Sequence, residues 1–157
     1  MKPTVYIETT IFSFYHELRS TPAAIAMREW TRQWWDNHRH KYEVMTSTAV
    51  LAELDAGNLP HREEALSMAS QIPAVPVEDE IGGIVEVYIE RHVMPHNPLG
   101  DALHLALASY YKFDYLLTWN CKHLANANKF NHIRQVNTLL GLHIPVLTTP
   151  LELMGGE

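Results

Sequence analysis

Short apolar runs alternate with longer stretches of helical period along this chain. Thr4-Val5-Tyr6-Ile7 reads as a buried strand and is followed by helical pattern to about residue 17. A long helix is predicted from about 22 to 40, with Thr21-Pro22 supplying its N-cap and first turn. Met27, Trp30 and Trp34 fall on one stripe of that helix at i, i+3 and i+7, whereas Trp35 points about 100° from Trp34 and is expected off the buried face. A second strand over about 43–46 precedes a helix through Ala49–Leu54 that stops at Gly57, and another helix begins near Pro60. Ala74-Val75-Pro76-Val77 is a third strand, which Pro76 places at a sheet edge. Helices are predicted over about 79–93 and 98–112. Asp114–Trp119 reads as a buried strand, helix resumes at Cys121, and Ile144–Leu147 is a last edge strand.

Strands separated by helical segments pair in parallel, with helices on both faces. In such sheets ligands bind outside the carboxyl ends of the strands, where the strand order reverses. Four polar residues fall at strand ends. Glu8 ends the first strand, and Glu53 lies in the second turn of the helix after the second, leaning back toward its start. Asp101 opens the helix before the fourth strand, and Asn120 follows that strand directly. Clustered carboxylates repel unless a cation or proton neutralises them, and an all-oxygen set favours a hard divalent ion, Mg²⁺ or Mn²⁺. Each residue also has a plainer explanation. Glu8 suits the positive end of the next helix, Glu53 an exposed helix face, Asp101 a first turn behind Asn97-Pro98, and Asn120 an N-cap.

The totals narrow the class. At 157 residues, 46% hydrophobic and 19% charged, the chain suits a single globular domain over 1–157 rather than a disordered one. A formal net charge of −6 offers no general attraction to nucleic acid. Arg28, Arg32, His38, Arg39, His40 and Lys41 form a local basic cluster, read as a solvated helix face or as phosphate contacts. The lone Cys121 has no disulfide or CxxC partner, and no run reaches the ~18–20 apolar residues of a membrane span. The most apolar uncharged run, Ala102 to Tyr111, has the length of a core helix. Pro3 and Glu8 break the apolar start that a signal peptide would need, so the expected location is cytoplasmic. Motifs for dinucleotide, nucleoside-triphosphate, zinc-protease and serine-hydrolase chemistry are missing from the chain.

Three stretches, "VYIETTIFSFY", "TSTAVLAEL" leading to "DAGN", and "GDALHLALASYYKFDYLLTWNCKHLANA", together resemble the PIN-domain ribonuclease family, which includes the VapC toxins of type II toxin–antitoxin pairs. The resemblance spans nearly the whole chain. It implies a three-layer α/β/α fold with a parallel sheet of about five strands ordered 3-2-1-4-5, and a crevice between strands 1 and 4. Residue by residue, Glu8 matches the family's first acid, usually Asp, and Thr10 the small polar residue two positions on. Glu53 and Asp101 match the second and third acids, and Thr118 and Asn120 the Thr-x-Asp ending. Glu8 is one methylene longer than the family's Asp, and Asn120 keeps an oxygen but loses a charge.

The implied activity is Mg²⁺- or Mn²⁺-dependent hydrolysis of RNA phosphodiesters. Glu8, Asp101, Glu53 and Asn120 are then the expected catalytic residues and metal ligands. Glu53 serves alternatively as the base that orients water, and Thr10 and Thr118 orient the carboxylates from behind. His104, three residues beyond Asp101, is a candidate substrate contact or proton shuttle, or simply a packed histidine; His96 is a weaker candidate. Cys121 beside Asn120 is considered as a nucleophile. The partners implied are RNA, a second copy of the chain and an antitoxin protein, with the 22–40 helix as the expected contact surface, although its aromatic stripe also suits the core. The competing readings are a PIN-fold binding module with weak or no activity, and a phosphatase or DNA nuclease on the same acids.

Overall fold

A computed structural model describes residues 1–95 and 99–155. Five strands, β1 (Thr4–Ile7), β2 (Glu43–Ser47), β3 (Ala74–Val75), β4 (Tyr115–Leu117) and β5 (Val146–Thr148), form one all-parallel sheet in the order β3-β2-β1-β4-β5. The expected order and both edge strands are therefore present. β1 is central, with Tyr6 opposite Leu116 and Ile7 opposite Leu117. Because it is flanked on both sides and covered on both faces, Val5, Tyr6 and Ile7 are fully buried.

Among the described residues eight helices lie along the sheet: α1 (Thr9–Tyr15), α2 (Pro22–Asn37), α3 (Thr48–Ala56), α4 (Arg62–Ala69), α5 (Asp79–Glu90), α6 (Leu99–Tyr110), α7 (Ala127–Leu139) and α8 (Pro150–Met154). α1 packs on α2, α3 and α4, and α8 on α2, while α5 and α6 pack on each other as a separate group. α6 carries a continuous buried run from Leu105 to Ala108, as a core helix should. None of the described helices is long and apolar enough to cross a membrane.

Local signals account for most boundaries. The Thr21 hydroxyl accepts from the Ala24 amide, so the Thr-Pro start of α2 is real, although regular helix ends at Asn37 and a short 3-10 turn covers Arg39–Lys41. That turn leads into the amino end of β2, opposite the carboxyl edge of the sheet. Arg39 lies 4.5 Å over the Trp35 ring, and Arg32 bonds the Tyr15 carbonyl, so these cations clothe α2 rather than face the crevice.

Three expectations are corrected. Trp35 is only 8% exposed, because α1 packs beside the main stripe and brings Phe12 edge-on to it at 5.8 Å. No helix starts at Cys121: turns cover Cys121–Leu124, and α7 begins at Ala127 behind the N-cap Asn126. α8 was not anticipated, yet Thr149-Pro150 followed by Glu152 is a helix start, with the Thr149 hydroxyl accepting from the Glu152 amide. The expected Asn97-Pro98 cap of α6, and His96, lie outside the described residues.

Candidate active site

The sheet order reverses between β1 and β4, and there the carboxyl ends of the two strands open side by side, with the Glu8 amide still bonded to the Leu117 carbonyl at 3.1 Å. Glu8 serves as the N-cap of α1, so its plainer role is real as well. Its Oε1 accepts from the Thr10 amide, the Thr10 hydroxyl and, at 2.7 Å, the Thr118 hydroxyl. Thr10 in turn accepts from the Trp119 amide at 2.8 Å, and Thr118 from the Asn120 amide at 2.9 Å. The two threonines thus lace β1 to β4 and fix the Glu8 carboxylate. Glu8 is 4% exposed, and burial raises its carboxyl above the usual range, against the charge of His104 and the bonds from Thr10 and Thr118.

Asp101, in the first turn of α6, is also buried, and its Oδ1 accepts from the Asn120 side-chain amide at 2.8 Å. Its Oδ2 is buried without a hydrogen-bond partner among the described residues. Burial raises the Asp101 carboxyl too, offset by the charges of His123 and His104 and by Asn120. Asn120 sits beside Asp101 but is not posed as a ligand. Its carbonyl oxygen accepts from the Lys122 and His123 amides, capping the turn after β4, and its nitrogen faces Asp101.

Glu53 projects from the second turn of α3 and behaves differently. Its Oε2 accepts from the Thr9 hydroxyl and its Oε1 meets His104 Nε2, both at 2.7 Å. Burial acts to raise its carboxyl, but the bond and charge of His104, with Thr9, prevail and hold it below the usual range. His104 is 1% exposed, and its other nitrogen, Nδ1, lies 2.7 Å from the Tyr6 hydroxyl. Both ring nitrogens are engaged inside the protein, so the histidine cannot reach a substrate phosphate; the expectation of a substrate contact fails on burial. Cys121 is exposed, but partial burial of the thiol and the Glu152 charge push it up, away from thiolate reactivity.

His123 and Lys129 were not anticipated. The charge of His123 acts on Asp101, and the Asp101 charge acts on Lys129, whose Nζ is held by the Val93 carbonyl at 2.8 Å. Both follow Asn120 in the chain, and only their charge marked them. A further cavity of about 450 Å³, lined by Tyr15, His16, Trp35 and α4 residues, is separate from this crevice.

The acids do not gather into a single shell: among the described residues, no three His, Cys, Asp or Glu side chains are placed to hold a metal ion. Glu53 spends both oxygens on His104 and Thr9, and Asn120 spends its carbonyl on the turn. Glu8 and Asp101 nevertheless fit a hard divalent ion. Each is fixed through one carboxylate oxygen and leaves the other without a hydrogen bond among the described residues. Mg²⁺ is commonly held by one or two carboxylates while keeping several waters.

The architecture is the PIN-like fold expected from the sequence, with the sheet ordered β3-β2-β1-β4-β5. Among solved structures, the chain is similar to one in VapBC2 from Rickettsia felis, crystallised bound to a DNA fragment from their promoter: the TM-score is 0.50 at 13% identity, over 93% of this chain and 98% of that one. At that identity the likeness carries the fold alone. In sequence, no family model and no curated protein matches.

Proposed function

We propose that this protein is a Mg²⁺- or Mn²⁺-dependent endoribonuclease, the cytoplasmic toxin of a toxin–antitoxin pair. The observation that carries this reading is the pose of Glu8 and Asp101. At the reversal point of a PIN-like sheet, two buried carboxylates are each anchored by one oxygen; among the described residues, Asp101 Oδ2 is buried without a hydrogen bond and none reaches Glu8 Oε2. Such groups are costly without a compensating charge. Glu8 and Asp101 would hold the ion, with Thr10, Thr118 and Asn120 orienting them from behind. When bound, the ion polarises the phosphoryl oxygen and offsets the charge that develops there. His123 and Lys129, beside Asp101, would draw the RNA backbone toward an otherwise acidic crevice.

The fold likeness to VapBC2 supports an antitoxin as partner. Of the four large apolar residues considered on α2, Trp34 and Trp35 are spent in the core, so a partner would meet Met27 and Trp30, which remain half-exposed. A homodimer is the expected free form.

The test is cleavage of total cellular RNA by the purified, antitoxin-free protein with Mg²⁺ or Mn²⁺, alongside EDTA and Asp101→Asn controls. Discrete cuts lost in both controls are expected. A folded protein that does not cut would favour the binding module, a reading that Asn120 in the acid's place and the engagement of Glu53 also support. Cuts that survive Asp101→Asn would remove Asp101 from the site.

A further inference from the structure

Glu53 stands apart from the other two acids, and the difference traces to a closed ring of hydrogen bonds. Ser47, the N-cap of α3, accepts from the Val50 amide and lies 2.8 Å from the Tyr6 hydroxyl. Tyr6, on β1, meets His104 Nδ1; His104, on α6, meets Glu53 Oε1; and Glu53 lies on α3, the helix that Ser47 caps. Three elements are thereby tied in one circuit with no free rotor. The imidazole is pinned at both nitrogens and packed against the Tyr6 ring at 5.8 Å. Turning it would break two bonds inside the core, where unsatisfied polar groups are costly.

Sequence and packing make room for this contact. A Cβ on Gly100 would stand 3.0 Å from Glu53 Oε1, so the absence of a side chain at that position of α6 lets the carboxylate lie against the helix. Thr9 bonds the other carboxylate oxygen of Glu53, whose side chain stays 39% exposed. An N–H aimed at Oε1 and a hydroxyl aimed at Oε2 take up one lone-pair direction of each Glu53 oxygen, whereas Glu8 and Asp101 each keep one oxygen without a hydrogen bond among the described residues.

We propose that His104 is a positioning residue, clamped by Tyr6, that holds Glu53 beside the cation but out of its coordination shell. The crevice then takes one divalent ion, held by Glu8 and Asp101. This rests on the nuclease reading above for the presence of the ion, while the clamp itself is a property of the protein alone.

The test has two arms. In the first, ¹⁵N-histidine NMR of the EDTA-treated protein should show a hydrogen-bonded His104 Nε2 proton that is lost in Glu53→Leu, which has no acceptor; its absence from the wild type would overturn the clamp. In the second, Mn²⁺ binding is followed by electron paramagnetic resonance for the wild type, His104→Leu and His104→Gln. One ion is expected for the wild type and for His104→Gln, whose amide can still donate to Glu53. His104→Leu frees Glu53 and should bind a second ion, or bind the first about tenfold more tightly. Two ions on the wild type, or a folded His104→Leu with unchanged stoichiometry and affinity, would overturn the proposal. Circular dichroism establishes folding, and if His104→Leu does not fold, Tyr6→Phe, which removes the anchor of His104 together with the bond to Ser47, takes its place. Absence of Mn²⁺ binding in every variant would overturn the nuclease reading and the single-ion count with it, leaving the clamp to be judged by the NMR proton.

Discussion

Two buried regions of this molecule place histidines very differently. At the crevice, His104 has both ring nitrogens paired, to Tyr6 and Glu53. Where α1 packs on α4, His61 is 5% exposed with neither ring nitrogen bonded among the described residues, and His16 has a buried, unpartnered Nε2. The first histidine belongs to a network whose members satisfy one another. The second pair bears the cost of leaving water with no bond in return. Burial alone therefore says nothing about a histidine's role; what matters is where its two nitrogens point.

Asp101 gives the contrast its sharpest trial, since it too carries an unpartnered buried atom, but in a crevice with Glu8. Asp101→Asn is expected to lower RNA cleavage by more than about a hundredfold, beyond the loss typical of groups that merely orient a ligand. It should also abolish stabilisation by Mn²⁺. In the wild type that stabilisation should reach about 2.7 kcal/mol at a hundredfold excess over Kd, read as a rise in Tm. Removing the orienting hydroxyls, by Thr10→Val or Thr118→Val, should cost about 10–100-fold in Mn²⁺ affinity, read by titration. An equal response at His16 and His61 would erase the distinction drawn between the regions.

The same substitution should have opposite signs in the two places. His104→Leu removes one of the two bonds of the buried Tyr6 hydroxyl and a bond to Glu53, and should destabilise by about 1–3 kcal/mol in urea unfolding. His61→Leu removes two unpaired nitrogens and should stabilise by about 1 kcal/mol. Destabilisation at position 61 as large as at 104 would mean that His61 has partners the contacts do not reveal.

The smallest effect expected is in the pH dependence, where the slopes should oppose. Burial lowers the His16 pKa below its usual 6.5, with the charges of His61 and Arg32 acting in the same direction. The unfolded chain then binds a proton first, so this contribution is complete above about pH 6.5 and is lost as pH falls toward the folded value. Burial acts to lower the His104 pKa, but the bond to Glu53 and the charges of Glu8, Glu53 and Asp101 raise it overall. Its contribution is complete below about pH 6.5 and is lost as pH rises through the folded value. Unfolding curves across pH 5–8.5 for the wild type, a His16→Leu variant and a His104→Gln variant should show each slope disappear separately.

Much of this was legible along the chain. The strands announce themselves because each is a short apolar run bounded by helical period, and caps such as Thr21-Pro22 act within four residues. The placement of Glu8, Glu53 and Asp101 around one crevice followed from the rule for strand ends. Asn120 follows β4 beside Asp101 and spends its carbonyl on the Lys122 and His123 amides, because a side-chain amide also competes for nearby backbone N–H groups. Trp35 was misjudged because a helix can be buried on two sides when two neighbours pack on it.

The sequence by itself determined the alternation of strands and helices, the apolar course of β1 and α6, and the residues available at the strand ends, because those properties depend on side-chain period and on contacts a few residues apart. Only the tertiary structure decided that Tyr6, Glu53 and His104 would meet, and so which acid keeps a free oxygen. Ninety-eight residues separate Tyr6 from His104 and fifty-one separate His104 from Glu53, and no local preference spans such distances. Their bonds exist because a parallel sheet brings β1, α3 and α6 to one edge, and because Gly100 leaves room there for a carboxylate.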